Sequence, residues 1–325
     1  MKLGLCTPLY RFLPLEQAMD AVAKTGIKVI ELHCGGYPGS DLCNASELLA
    51  DDGKLAKFLR VFEERGIEID SLGAHGNPLH PQAEIREQHD ADLRDAIRLA
   101  ERIGLGKVIA FSGCPGGSEQ AKYPNWCVIQ WPEDYAEVLA WQWEHKVLPY
   151  WREIAQFAAD RNVKIALEMH PGCVVYNVRT MLALRDAVGP AVGANMDPSH
   201  LFWQGVDPVR AILKLGSAVY HVHVKDTAFH PDLFPVHGAL DTQSDQDVPN
   251  RSWVFRTVGY GHDVLFWKRF FSALQMVGYQ GVACIEPEDR LIEADESIQK
   301  AITFLSNVVV EQEPAGKDWW LQPED

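Results

Sequence analysis

Eight short apolar runs, each followed by a stretch of helical period, organise this chain. The runs are Leu3–Cys6, Val29–His33, Ile67–Leu72, Val108–Phe111, Lys164–Glu168, Val192–Met196, Ala218–Val224 and Gly281–Ile285. None alternates cleanly between apolar and polar positions, which is the pattern of strands covered on both faces. Between the runs, apolar positions recur every three or four residues. Leu93, Ala96, Ile97, Ala100 and Ile103 form one stripe, with Arg94, Asp95, Arg98, Glu101 and Arg102 left for water. Phe266, Phe270, Leu274 and Val277 form another. Gly26, Gly66, Gly104 and Gly278 stand just ahead of the next run, where a left-handed residue ends a helix.

Alternating strand and helix imply a parallel sheet. Eight such units predict a (β/α)8 TIM barrel, a single domain over residues 1–310. A polar C-terminal tail, 311–325, follows, with Trp319 and Trp320 as candidates for docking. An open doubly wound sheet is the alternative, but no G-x-G-x-x-G follows the first run. Two connections are long: Gly113–Trp131, rich in Gly, Pro and Trp, and Lys225–Asp263, with Pro231, Pro235, Gly238, Pro249 and Gly259. Each follows a strand, which puts long loops on the C-terminal face, where such loops serve as lids or binding elements.

Composition narrows the picture. The chain has 325 residues, 47% of them hydrophobic, enough for a sizeable core. No apolar run reaches about 18 residues, so no membrane span is expected. The opening run is too short for a signal sequence, and a cytoplasmic protein is expected. The net charge of −15, from 30 basic and 45 acidic residues, argues against nucleic-acid partners. Seven scattered cysteines without a C-x-x-C read as reduced thiols.

Four of the runs end in a metal-type ligand. Glu168 closes the fifth, Asp197 follows the sixth, His223 lies near the end of the seventh and Glu286 follows the eighth. Barrel strand ends open onto one face, so three carboxylates and an imidazole there suggest one hard or borderline divalent cation. Taken singly, each acid has a plain alternative; Asp197 before Pro198 reads equally as a helix cap. His200, three residues after Asp197, is a candidate hydrogen-bond donor to a substrate oxygen. His75, taken to lie just past the third run beside Gly76 and Pro78, is a candidate proton carrier, and His33 follows the second run in the same manner. Arg256 and His262, in a glycine-bearing segment, are candidates for holding substrate hydroxyls. Trp126, with Trp131 and Trp203, could form an apolar wall for a sugar face. Lys225 and Asp226 follow His223, and Asp226 could orient a ligand. His221 is expected to point away from His223, as a packed histidine or one that supports a ligand from behind, rather than as a ligand itself.

The segments Leu167-Glu168, Met196-Asp197-Pro198-Ser199-His200, His223-Val224-Lys225-Asp226 and Ile285-Glu286-Pro287-Glu288 give the chain a resemblance to a known family. It resembles the xylose-isomerase-like TIM barrels, the sugar phosphate isomerase/epimerase superfamily that also holds endonuclease IV, from Met1 to about Val310. The resemblance implies that Glu168, Asp197, His223 and Glu286 hold one divalent metal, foremost Mn2+, with Mg2+, Co2+ or Zn2+ also admitted. It implies that Glu168 and Glu286 are the acid/base pair, that His200 contacts substrate oxygens, and that His75 matches a family histidine. Endonuclease IV is disfavoured: its fourth-strand histidine is replaced in Phe111-Ser112-Gly113-Cys114-Pro115, and its Asp-x-His pair has no match near Asn250-Arg251-Ser252.

The implied activity is a metal-dependent sugar isomerase or epimerase working by proton abstraction next to a sugar carbonyl, through a metal-stabilised enediolate. The long, tryptophan-bearing insertions resemble those of members that act on 3-keto-glycosides, so a lyase or hydratase using the same metal is the runner-up. A non-catalytic sugar-binding barrel is the third reading. The expected partner is a small carbohydrate, with a second copy of the chain or an accessory subunit as a candidate for completing the site.

Overall fold

The computed structural model describes residues 1–311. The tail with Trp319 and Trp320 lies outside the described residues. Eight strands close into a parallel barrel: β1 (Lys2–Cys6), β2 (Val29–Gly36), β3 (Glu68–His75), β4 (Lys107–Phe111), β5 (Lys164–Glu168), β6 (Val192–Met196), β7 (Val219–Val224) and β10 (Val282–Ile285). β1 pairs with β10 from Lys2↔Val282 to Leu5↔Ile285, which shuts the barrel. Two further strands, β8 (Asp226–Phe229) and β9 (Trp253–Arg256), pair antiparallel above β7. They correct the reading of Lys225–Asp263 as plain loop. The segment 113–131 does lack regular structure.

The predicted helix ends stand where expected. Gly26, Gly66, Gly104 and Gly278 all have positive φ, which glycine adopts without the Cβ clash other residues meet. In the helix Ala83–Ile103 the buried face is Leu93, Ala96, Ile97, Leu99 and Ala100. The helix Val264–Met276 is turned slightly from expectation. Trp267, Phe270, Phe271 and Leu274 are buried, whereas Phe266 is only partly covered. These helices pack their apolar stripes on the outside of the strands, and Leu5, Ile30, Leu32 and Leu72 meet them there. The N-terminal ammonium donates to Val310 O at 2.9 Å, tying the two ends of the described chain together. Among the described residues no helix is long and apolar enough to cross a membrane.

The barrel interior is unusual. Such interiors are commonly filled by Val, Ile and Leu. Here Glu31, His33, Ser71, His75, Glu168, Asn195, Asp197, His221, His223 and Lys225 are all buried. Residues two apart on a strand share a face, so Glu31 with His33, and His221 with His223 and Lys225, project inward as ladders. That rule overturns the expectation for His221. Its Nε2 and the Nε2 of His223 lie at the same Glu31 Oε2, each at 2.8 Å.

Candidate metal centre

The C-terminal ends of β5, β6, β7 and β10 deliver Glu168, Asp197, His223 and Glu286 to one point. One donor atom from each lies within 4.8 Å of all the others. His223 Nδ1 is 3.4 Å from Glu168 Oε2 and 3.4 Å from Glu286 Oε2. Asp197 Oδ1 accepts from Ser199 N at 2.8 Å, at the start of a short helix whose N-cap is Pro198, and Oδ2 is balanced by the Lys225 ammonium, its Nζ 3.2 Å away. His223 Nδ1 is buried without a hydrogen-bond partner. Burying a ring nitrogen unpaired costs about 1–3 kcal/mol, a cost that a bound cation would remove. Oxygen donors with one imidazole suit a divalent ion of the magnesium, manganese or zinc kind, so the residues fit the implied metal.

Glu31, overlooked in the sequence, decides which nitrogen of His223 faces that point. His223 Nε2 lies 2.8 Å from Glu31 Oε2, so Nε2–H donates to the carboxylate and Nδ1 is left to face the three acids. Glu31→Ala is therefore expected to weaken Mn2+ binding by about 10–100-fold, read by calorimetry on a variant whose circular dichroism is unchanged.

Lys225 is buried and neutralises the acids from the mouth side. Its Nζ is 2.6 Å from Glu286 Oε2, 2.8 Å from Glu288 Oε2 and 3.2 Å from Asp197 Oδ2. Burial alone would push the Glu286 carboxyl up, but Lys225 and His223 outweigh it and hold it well below the usual range. For Glu168, burial is likewise outweighed, by the imidazoles of His200, His223 and His75 around it, and its carboxyl is held well below the usual range. Both acids are thus ionised and able to bind a cation or take a proton.

The predicted histidines converge on Glu168. His200 Nε2 is 2.9 Å from its Oε1, and His75 Nε2 is 3.2 Å from its Oε2. His75 is the last residue of β3 rather than a loop residue, and His33 lies within β2. Their rings stack, with His33 Nε2 3.0 Å from His75 Nδ1. Burial first, then the neighbouring His75, push the His33 pKa down from 6.5 to about 4. The fold accepts only neutral His33, whereas the unfolded chain protonates below 6.5. His33 should therefore remove about 3 kcal/mol of stability from the metal-free protein as pH falls from 6.5 to about 4. His33→Gln should flatten that part of the slope in urea titrations run at several pH values, whatever its effect at neutral pH.

The remaining candidates sit at the rim. Arg256 Nε is 3.0 Å from Asp289 Oδ2. His262 Nδ1 is 2.7 Å from Asp226 Oδ1, and its ring stacks on Phe202 at 3.7 Å. Asp226 is an anchor for the loop rather than for a ligand: Oδ2 accepts from the backbone of Gly259, Gly261 and His262, each at 3.0 Å. A Cβ at Gly261 would come 2.1 Å from Thr227 O, so only glycine fits there. Trp126 meets Tyr176 edge-on and lines a cavity of about 590 Å³ with it. Trp203 instead stacks on Trp253, and Trp131 is exposed. β9 roofs the centre, with Phe255 4.7 Å from Lys225 Nζ and 5.2 Å from the His200 ring.

Glu31, His170 and Asn195, whose Nδ2 donates to Glu168 Oε2 at 3.3 Å, were missed by sequence reasoning at this centre. His170 packs on His200 at 4.3 Å. It lies two residues past the end of β5, where a search confined to strand ends does not reach.

Residues 19–308 match the family described as xylose isomerase-like TIM barrel, and the chain belongs to that family. The uncharacterized protein YfiH of Bacillus subtilis is 38% identical over 312 residues, covering 95% of this chain and 99% of YfiH. A xylose isomerase-like TIM barrel protein from Mycobacterium smegmatis, solved in complex with magnesium, superposes with a TM-score of 0.65 at 17% identity, covering 94% of this chain and 96% of that one. D-psicose 3-epimerase, solved in the presence of D-fructose, gives 0.61 at 18% identity, covering 95% and 99%. The structural likenesses establish the fold.

Proposed function

We propose that this xylose isomerase-like barrel is a divalent-cation-dependent sugar isomerase or epimerase, which moves a proton at the carbon beside a sugar carbonyl. The observation that carries the reading is the pair Glu168 and Glu286, two ionised carboxylates meeting at His223 Nδ1, with Oε2 of each 3.4 Å from it. A cation held by Glu168, Asp197, His223 and Glu286, most suitably Mn2+, supplies Lewis-acid stabilisation of the negative charge that develops on a sugar carbonyl oxygen.

The protein supplies the proton transfers. The Glu286 side chain keeps 18% of its surface exposed, against 2% for Glu168, so Glu286 is the carboxylate that reaches an entering substrate. Glu168 is fixed by His75, His200 and Asn195, which suits it to exchange a proton on the opposite face. His75 and His33 extend from Glu168 as a hydrogen-bonded pair able to share that proton. His200 positions oxygens beside Asp197, and Phe255 keeps bulk water from the centre. Proton return to carbon gives the epimer or isomer.

A second reading, β-elimination from a 3-keto-glycoside, begins with the same proton abstraction. The long tryptophan-bearing segment 113–131 that follows β4 supports it. Product analysis separates the two. Mn2+-loaded protein with ketoses and 3-keto-glycosides is followed by proton NMR. An epimer or aldose supports the main reading, and a released aglycone supports the second. No conversion of any carbonyl sugar would leave a binding protein.

A further inference from the structure

One layer deeper in the barrel lies a second cluster of donors. Cys284 stands two residues before Glu286 and His221 two before His223, which is about 6–7 Å back along each strand. Cys6 closes β1, and Glu31 lies in β2. Cys6, Glu31 and Cys284 each present a donor atom within 4.8 Å of the others. His221 Nε2 adjoins Glu31 Oε2 at 2.8 Å. All four residues are 0% exposed. Gly4 makes the space: a Cβ there would come 2.8 Å from Cys284 Sγ.

Glu31 Oε1 and His221 Nδ1 are buried without a hydrogen-bond partner, and His221 Nε2, although 2.8 Å from Glu31 Oε2, makes no well-aligned hydrogen bond with it. Unpaired polar atoms in a closed interior cost free energy unless something binds them. Two thiols beside a carboxylate and an imidazole form a set that borderline, thiophilic cations take up and that hard cations avoid.

We propose that Cys6, Cys284 and Glu31, completed by His221, form a second cation site for an ion of the zinc class. Binding forms two sulfur–cation bonds, one oxygen–cation bond and one nitrogen–cation bond, and releases the two thiol protons to solvent. With four protein donors and no open position the site is structural rather than catalytic. Glu31 would serve this ion while its Oε2 keeps its hydrogen bond to His223, so the two sites are joined through one carboxylate.

The test is a cobalt titration of metal-stripped, fully reduced protein without oxygen, and it involves no turnover, so its outcome is independent of the proposed reaction. The expected result is uptake of two equivalents and a thiolate-to-cobalt charge-transfer band in the near ultraviolet, which the oxygen-rich centre above cannot give. Cys6→Ser and Cys284→Ser should each lose the band and still take up one equivalent. The wild-type spectrum alone decides if the variants fail to fold. Absence of the band at saturating cobalt overturns the proposal, as does its persistence in both variants. So does a thiol count on unfolded, unreduced protein showing Cys6 joined to Cys284.

Discussion

Glu286→Gln is expected to lower solvent-deuterium exchange at the α-carbon of a keto-sugar substrate by about 10²–10⁴-fold at saturating Mn2+. The substitution keeps the shape of the side chain but removes its ability to accept a proton. It also withdraws one anionic ligand, so the cation must first be titrated on the variant to separate weakened binding from lost base strength. Lys225 loses a partner too, but Glu288 at 2.8 Å and Asp197 at 3.2 Å remain to neutralise it, which protects the fold. Glu168→Gln should produce a loss of similar size, because Glu168 faces the same point from β5. Exchange within about tenfold of wild type in both variants would mean that neither carboxylate is the base.

Lys225→Met is expected to destabilise the metal-free protein by about 3–5 kcal/mol, the cost of removing one partner from a buried charge cluster. Lys225 is 2% exposed and holds Asp197, Glu286 and Glu288 together. Methionine preserves much of the apolar stem but leaves three carboxylates facing one another. A divalent cation would bring positive charge to two of these acids, Asp197 and Glu286. Mn2+ should therefore stabilise Lys225→Met by more than it stabilises wild type, and the gap between their urea midpoints should narrow on loading. A gap that is unchanged by Mn2+ would show that the lysine and the cation do not serve the same carboxylates.

The barrel was legible in the sequence because its strands are covered on both faces and so read as compact apolar runs. The convergence of Glu168, Asp197, His223 and Glu286 was legible because strand ends share one face of such a barrel. Glu31 was not, since a strand-end search passes over an acid in the middle of Val29–Gly36. Yet a carboxylate inside an apolar strand is buried, and buried acids are paired. His221 was misjudged by counting alternation in single steps, whereas His221 and His223 are two apart and share a face. The β8–β9 hairpin was hidden by the proline- and glycine-bearing stretch between its strands, although Trp253-Val254-Phe255-Arg256 is itself a short β-prone run. The burial of Lys225 could not be read locally, because its partners come from β6 and from the segment after β10.

The most direct measurement is α-proton exchange in deuterium oxide, followed by NMR on a panel of keto-sugars and 3-keto-glycosides, with the protein first stripped by chelation and then reloaded with Mn2+. The account predicts no enzyme-dependent exchange in the stripped protein and recovery at the carbon beside the carbonyl on reloading. Exchange that is equally fast without a cation, or absent with every substrate once a cation is bound by Glu168, Asp197, His223 and Glu286, would contradict it.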